Sequence, residues 1–306
     1  MASAIRVEGL RKAYGDFEAV RGVDLEVAEG EVFAFLGPNG AGKTTTIEIL
    51  EGFRSATSGT VEVLGQDPQK ADLNWREDIG IVLQESETSN ELTAREAVQM
   101  HAAYYASPRG VDEVLEIVGL TEKADDRAKK MSGGQKRRLD LALALIGNPK
   151  LVFLDEPTTG FDPSARRESW TMIENLRDLG TTVMLTTHYM DEAQQLADRI
   201  AVIAAGEIVA RGTADELAQQ VRSQPSISWT TTSDSPPFGA PMGAGRTGTT
   251  VEPEDVTARV HELTTWATSN NVELTGLEVS RPTLEDTYLA LVGTSESEDA
   301  AGAVSP

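Results

Sequence analysis

The stretch Gly37-Pro38-Asn39-Gly40-Ala41-Gly42-Lys43-Thr44-Thr45 constrains this chain more than any other. It fits the pattern G-x-x-x-x-G-K-[ST], with Gly37, Gly42, Lys43 and Thr44 at the fixed places. Glu31–Leu36, just before it, is short and almost wholly apolar, as a strand buried on both faces requires. The following TTIEILEG reads as a helix. Strand, glycine-rich loop and helix together put backbone N–H groups and a positive helix end around a phosphate chain. The glycines let the main chain wrap the phosphates without a Cβ in the way. Lys43 is placed to reach the β and γ phosphates, and the Thr44 hydroxyl suits Mg²⁺. A plain glycine turn between strand and helix is the alternative.

The rest of the chain alternates strands and helices. Ile5–Val7 and Phe17–Val27 alternate apolar and polar residues like half-buried antiparallel strands, with Tyr14 between them. Gly59–Gly65 and Ile79–Gln84 read as strands, then the pattern turns helical from Thr93 to Gly119. Ser132 followed by Gln135 fits a capping box, opening a helix that ends near Gly147-Asn148-Pro149. Lys150–Pro157 is an apolar strand ending in two acids, followed by helix, strand, short helix and a hairpin turning at Ala205-Gly206. Thr213 with Glu216 opens a further helix to about Val221. This order predicts an α/β fold: a P-loop NTPase core with a mainly parallel sheet, an antiparallel β subdomain and a helical insert, plus a small α+β C-terminal appendage. The expected divisions are 1–222 for the ATPase domain, with the insert at about 88–135, and 223–250 for a linker or loop rich in Ser, Thr, Pro and Gly. A C-terminal accessory domain is expected at 251–293, with a helix in TLEDTYLALVG, and a disordered tail at 294–306.

Composition limits the partners. A net charge of −22 argues against a general nucleic-acid binder, because phosphate backbones need cationic partners. The absence of cysteine excludes disulfides and thiolate metal sites. The strongest apolar run, Leu139–Gly147, is too short for a membrane span, and the opening MASAIRVEGL lacks the apolar core of a signal peptide. A soluble, cytoplasmic chain is expected, whose membrane role requires a separate partner.

Asp155 and Glu156 close a buried strand, where ligands of α/β sheets lie. One acid can hold Mg²⁺ through water while its neighbour addresses the attacking water, and hydrolysis of a phosphoanhydride needs both. Ser132-Gly133-Gly134 starts a helix and so offers a second anion site. One nucleotide needs only one cradle, so the second suggests closure on nucleotide held by another subunit; in isolation it reads as a plain helix cap. His101 and His261 have no metal-like spacing and read as helix-face residues.

The phosphate loop, Met131-Ser132-Gly133-Gly134-Gln135, Leu151–Pro157 and a lone His188 ending the next strand, in that order, resemble the ATP-binding subunit of an ABC transporter over about residues 4–220. The resemblance implies a head-to-tail dimer, with two ATP molecules each held between one subunit's phosphate loop and the other's Ser132–Gln135. It implies that Tyr14 stacks on adenine, that Gln84 touches Mg²⁺ or water and couples to the membrane subunit, and that Asp155 organises Mg²⁺. Glu156 is then the general base, Asp162 communicates across the dimer, and His188 contacts the γ phosphate. Met131 and Phe161 stand where the family usually has leucine. The insert resembles the subdomain that receives a permease's coupling helices, although its apolar face (Val98, Ala102, Tyr105) also suits a core of its own. Arg281–Gly293 resembles the ending of drug-resistance, daunorubicin-type ABC ATPases. That implies an ATPase at the cytoplasmic face of the membrane, driving a separate ABC-2-type permease that exports drugs or other lipophilic compounds. Its dimer partner is a second copy or a related subunit. An importer ATPase and a soluble, non-transport ABC ATPase stay open as alternatives.

Overall fold

The alternation at the start of the chain becomes two long strands, β1 (Ser3–Tyr14) and β2 (Phe17–Ala28). The computed structural model describes residues 2–83, 91–220, 225–231, 237–243 and 246–280. They divide into two units, Met1–Ala214 and Asp215–Pro306. The division falls ahead of the boundary expected at 222. β1 also runs further than its alternation indicates. Register shifts between Val7 and Arg11 let the strand continue past Gly9, so Tyr14 ends β1 instead of lying between strands.

In the first unit, β3 (Val32–Leu36) is buried at every position. After it come α1 (Lys43–Leu50), β4 (Ser58–Val63), the short helix α2 (Leu73–Glu77) and β5 (Ile79–Val82). The helix α2 is not apparent in the sequence pattern. The insert supplies α3 (Ala94–Ala102) and α4 (Val111–Ile117), followed by α5 (Gly133–Leu145). Then come β6 (Leu151–Asp155), α6 (Pro163–Asp178), β7 (Thr182–Thr187), α7 (Met190–Leu196), β8 (Arg199–Ala204) and β9 (Glu207–Gly212). The hairpin turns at Ala205-Gly206, both at positive φ, as expected.

Two sheets result. β2-β1-β4 is antiparallel, and the main sheet runs β5-β6-β7-β3-β8-β9. All neighbours in the main sheet are parallel except the last pair. One apolar core joins the sheets, with Val20, Val23 and Leu25 of β2, Ile47 and Leu50 of α1, and Phe35 and Phe153 of the main sheet all in it. The parallel order matters for function. β6, β7 and β3 are adjacent, so the segments leaving their C-terminal ends gather at one edge. In the insert, Val98 is fully buried, while Tyr105 is half-buried against Gly147, which lies beyond the insert past the end of α5.

The second unit has α8 (Ala214–Gln220) at its start, then β10 (Ser226–Thr230), β11 (Ala240–Gly243), β12 (Arg246–Thr250), α9 (Val256–Ser269) and β13 (Thr275–Ser280). Its antiparallel sheet has the order β11-β12-β10-β13. Ile227, Trp229, Val251 and Leu263 form its core, with Phe238 edge-on to Trp229. Three strands therefore lie within 223–250, where a linker or loop was expected. Trp229 and Ile227 alternate with polar neighbours over a span too short to register as a period amid Ser, Thr, Pro and Gly. The helix expected in 283–293 and the tail at 294–306 lie outside the described residues.

Candidate active site

Lys43 is held where β3 turns into α1. Gly42, the residue before α1, has φ 103° and gives the helix no side-chain cap, so its first N–H groups are left facing the loop. A Cβ on Gly42 would meet the Ala19 carbonyl at 2.5 Å, and one on Gly37 would meet that of Ile203 at 2.4 Å. Both positions therefore require glycine. The Gly37 N–H donates to Thr187 O of β7, and the Gly206 N–H donates to Ala41 O, which moors the loop to the sheet on both sides. Lys43 Nζ donates to Gly37 O at 2.7 Å and to Pro38 O at 3.1 Å, and lies 3.7 Å from Glu156 Oε1. Burial pushes its ammonium below the ordinary lysine range, against the pull of Glu156 and Asp155.

Glu156 follows β6 at φ 46°, a left-handed conformation that residues with a Cβ rarely take. Its Oε1 lies 3.2 Å from His188 Nδ1, just past β7, and its Oε2 accepts from Thr159 Oγ1 at 3.0 Å. Burial pushes the carboxyl up, but the hydrogen bonds from His188 and Thr159, with the charges of His188 and Lys43, hold it below the usual carboxylate range. Asp155 is buried and accepts from Thr186 Oγ1. The same Thr186 oxygen accepts from the Glu156 N–H at 3.0 Å. Thr186 lies opposite Asp155 in the β6–β7 pairing. A threonine near the end of the strand Thr182–Thr187, beside a second threonine, was the only sequence signal for it.

Lys43 and Glu156 border a cleft of about 590 Å³, whereas Gly37, Asp155, Thr186 and His188 do not line it. Pro38, Asn39, Gly40, Gly42, Lys43, Thr44, Thr45 and Glu156 line it, with Tyr14, Phe17, Ala19 and Arg54. Tyr14 and Phe17 face each other across the β1–β2 end, and both are exposed. Lys12 Nζ and the Arg54 guanidinium lie 5.2 and 5.4 Å from the Tyr14 ring centre. Phe17 had no place in the sequence reading beyond its strand, and Arg54 had none. Ala41 is buried in the core behind the loop and does not line the cleft. Gln84 lies outside the described residues.

Ser132, Gly133, Gly134 and Gln135 do not border this cleft. Ser132 caps α5 in a reciprocal box. Its Oγ accepts from the Gln135 N–H, and its own N–H donates to Gln135 Oε1 at 2.9 Å. Asp162 caps α6, its Oδ1 accepting from the N–H groups of Ser164 and Ala165, which lower its pKa. Met131 is buried, in keeping with an apolar role.

The sequence model of the family described as ABC transporter matches residues 20–159. The chain is 38% identical over 306 residues to the daunorubicin resistance ATP-binding protein DrrA3 of Streptomyces coeruleorubidus, covering 95% of this chain and 96% of that one. The chain belongs to the ATP-binding subunits of ABC transporters. As an ABC ATP-binding subunit it binds ATP and is an ATPase. The linearmycin resistance ATP-binding protein LnrL of Bacillus subtilis (strain 168) is 37% identical, over 94% of this chain and 98% of its own length. The Nod factor export ATP-binding protein I of Rhizobium meliloti (strain 1021) is 44% identical, over 68% of this chain and 64% of its own length. Among solved structures, a dimeric ATP-binding cassette in a post-hydrolysis state bound to ADP and Pi matches with TM-score 0.61 and 27% identity, over 68% of this chain and 98% of that one. A nucleotide-free ABC cassette matches with TM-score 0.64 and 25% identity, over 72% of this chain and 95% of that one.

Proposed function

We propose that the chain hydrolyses MgATP between two head-to-tail subunits and thereby drives a separate ABC-2-type permease that exports drugs or other lipophilic compounds. The observation that carries this is the meeting of three strand ends. Glu156 Oε1 lies within 3.7 Å of Lys43 Nζ and 3.2 Å of His188 Nδ1, at the mouth of the phosphate loop. Lys43 and the free N–H groups of α1 stabilise charge on the β and γ phosphates, and Tyr14 offers a face for the base. Glu156, ionised and aimed into the cleft, takes the proton of the attacking water, and His188 contacts the γ phosphate beside it. The exposed Thr44 hydroxyl and the Asp155 carboxylate are hard oxygen donors that fit Mg²⁺, with Gln84 a third. Among the described residues no cluster of His, Asp and Glu forms a complete metal cage. That suits an ion carried in on substrate phosphates. When bound, Mg²⁺ supplies charge neutralisation at the β and γ oxygens.

The capped start of α5, away from the cleft, supports a role for Ser132-Gly133-Gly134 on the nucleotide of a second subunit. One chain carries all the motifs, so a second copy suffices. The names of the relatives, resistance and export proteins, favour an exporter over an importer. Among the described residues no helix is long and apolar enough to cross a membrane. In this reading the separate permease carries the substrate path. Met100 and Tyr104 of the insert, 44% and 72% exposed, offer it an apolar face. Tagging the chain in its native host, solubilising membranes mildly and identifying co-purifying proteins tests this. A stoichiometric multi-span protein is expected, and recovery of the chain with ribosomes or nucleic acid contradicts export.

A further inference from the structure

Arg137 lies in α5, the helix that starts after Ser132. Its guanidinium does not border the nucleotide cleft. It donates instead to three main-chain carbonyls at the ends of two strands. Nη2 donates to Asp155 O at 2.8 Å, Nε to Pro157 O at 3.4 Å, and Nη1 to Leu83 O. Asp155 and Pro157 flank Glu156, and Leu83 directly precedes Gln84. One side chain thus grips the backbone on both sides of Glu156 and beside Gln84.

The conformation of Glu156 shows why such a grip is needed. A residue with a Cβ stays at φ 46° only where its surroundings over-determine it. Thr186 Oγ1 fixes the Glu156 N–H, and Arg137 fixes the carbonyls on either side. A planar fork of N–H donors can satisfy several carbonyls at once, which a lysine ammonium on a flexible stem cannot do in the same geometry. Burial pushes the guanidinium below its ordinary range, while Asp140, Asp155 and Glu192 oppose this.

We propose that Arg137 is a positioning residue for ATP hydrolysis, tying the helix that begins at Ser132 to the turn that carries Glu156. Contacts made at the start of α5 then bear directly on where the carboxylate of Glu156 stands. This rests on the reading that Glu156 is the general base and that Ser132 meets nucleotide. Arg137 touches no reacting atom, so its loss lowers turnover and leaves ATP affinity in place.

The test uses the full chain with Arg137→Gln and Arg137→Lys. It reads phosphate release, affinity for a fluorescent ATP analogue, and melting temperature. Arg137→Gln is expected to lower kcat by about 10- to 100-fold, as loss of an orienting partner does, with the nucleotide Kd within about threefold of wild type. Arg137→Lys recovers part of the loss. Combining Arg137→Gln with Glu156→Gln costs little beyond Glu156→Gln alone, because both act through one carboxylate. If Arg137→Gln does not fold, Arg137→Lys carries the test, with lowered kcat at unchanged Kd expected. Unchanged kcat, a parallel loss of affinity and turnover, or multiplicative effects with Glu156→Gln each overturn the proposal. A wild-type chain without any MgATP hydrolysis contradicts the functional reading itself, whereas an active wild type matched by Arg137→Gln overturns only the role of Arg137.

Discussion

Replacing Glu156 with glutamine isolates its charge from its shape. The amide keeps the volume and an oxygen for the Thr159 hydroxyl, which now donates to Oε2 at 3.0 Å. It loses the ability to take a proton and the charge 3.7 Å from Lys43 Nζ. A positioned general base contributes about 10²- to 10⁴-fold, so kcat is expected to fall at least about a hundredfold, close to 3 kcal/mol in the barrier. Nucleotide affinity should hold or rise, because a negative charge facing the phosphates is removed. Phosphate release and equilibrium titration with a fluorescent ATP analogue, run on one preparation, separate the two effects. The pH profile adds a check. The Glu156 carboxyl is held below the ordinary range, so it is ionised at neutral pH. Wild-type turnover is therefore not limited by this group near neutrality, and is lost only as the pH falls through the lowered folded value. Turnover in Glu156→Gln within about threefold of wild type refutes the reasoning, since a base worth even the low end of the usual range cannot be absent and unnoticed.

Lys43→Ala removes a buried cation from the middle of the loop, and ATP affinity measured by titration should fall by roughly one to two decades. Gly42→Ala puts a Cβ 2.5 Å from the Ala19 carbonyl at φ 103°, so the melting temperature should drop and nucleotide binding be lost together. Glu51, buried at the end of α1, has its carboxyl raised from an ordinary 4.5 to about 8 by burial, with Asp155 and Glu48 adding to it. Between those values the folded chain binds more protons than the unfolded one, so stability falls as the pH rises through the window. Urea melts should show Glu51→Gln gaining on wild type by up to a few kcal/mol at pH 8 and little at pH 5.

The phosphate loop, the acid pair and the histidine were legible because each sits at a strand end and the strands come in a readable order. Nothing in that order revealed Thr186. A threonine gains its meaning only from lying opposite Asp155 in the β6–β7 register, and register is a tertiary fact. Arg137 was hidden in the same way, as one of three consecutive basic residues ahead of the apolar run Leu139–Gly147. Phe17 read as one more alternating strand residue, and its place at the cleft mouth follows from pairing with Tyr14. The three strands within 223–250 escaped notice because Ile227 and Trp229 are the only alternating apolar pair that β10 offers, inside a stretch whose composition favours turns, whereas Val272–Ser280 did read as a strand and contains β13.

The central claim is that each nucleotide is held by Lys43 of one subunit and Ser132 of another. Mixing two inactive variants tests it most directly. Lys43→Ala retains Ser132, and Ser132→Arg retains the phosphate loop. Random pairing of equal amounts puts one intact composite site in half of the dimers, so MgATP turnover should return to about a quarter of the wild-type rate. An active wild type whose two variants stay inactive on mixing, despite demonstrated exchange of subunits, would contradict it.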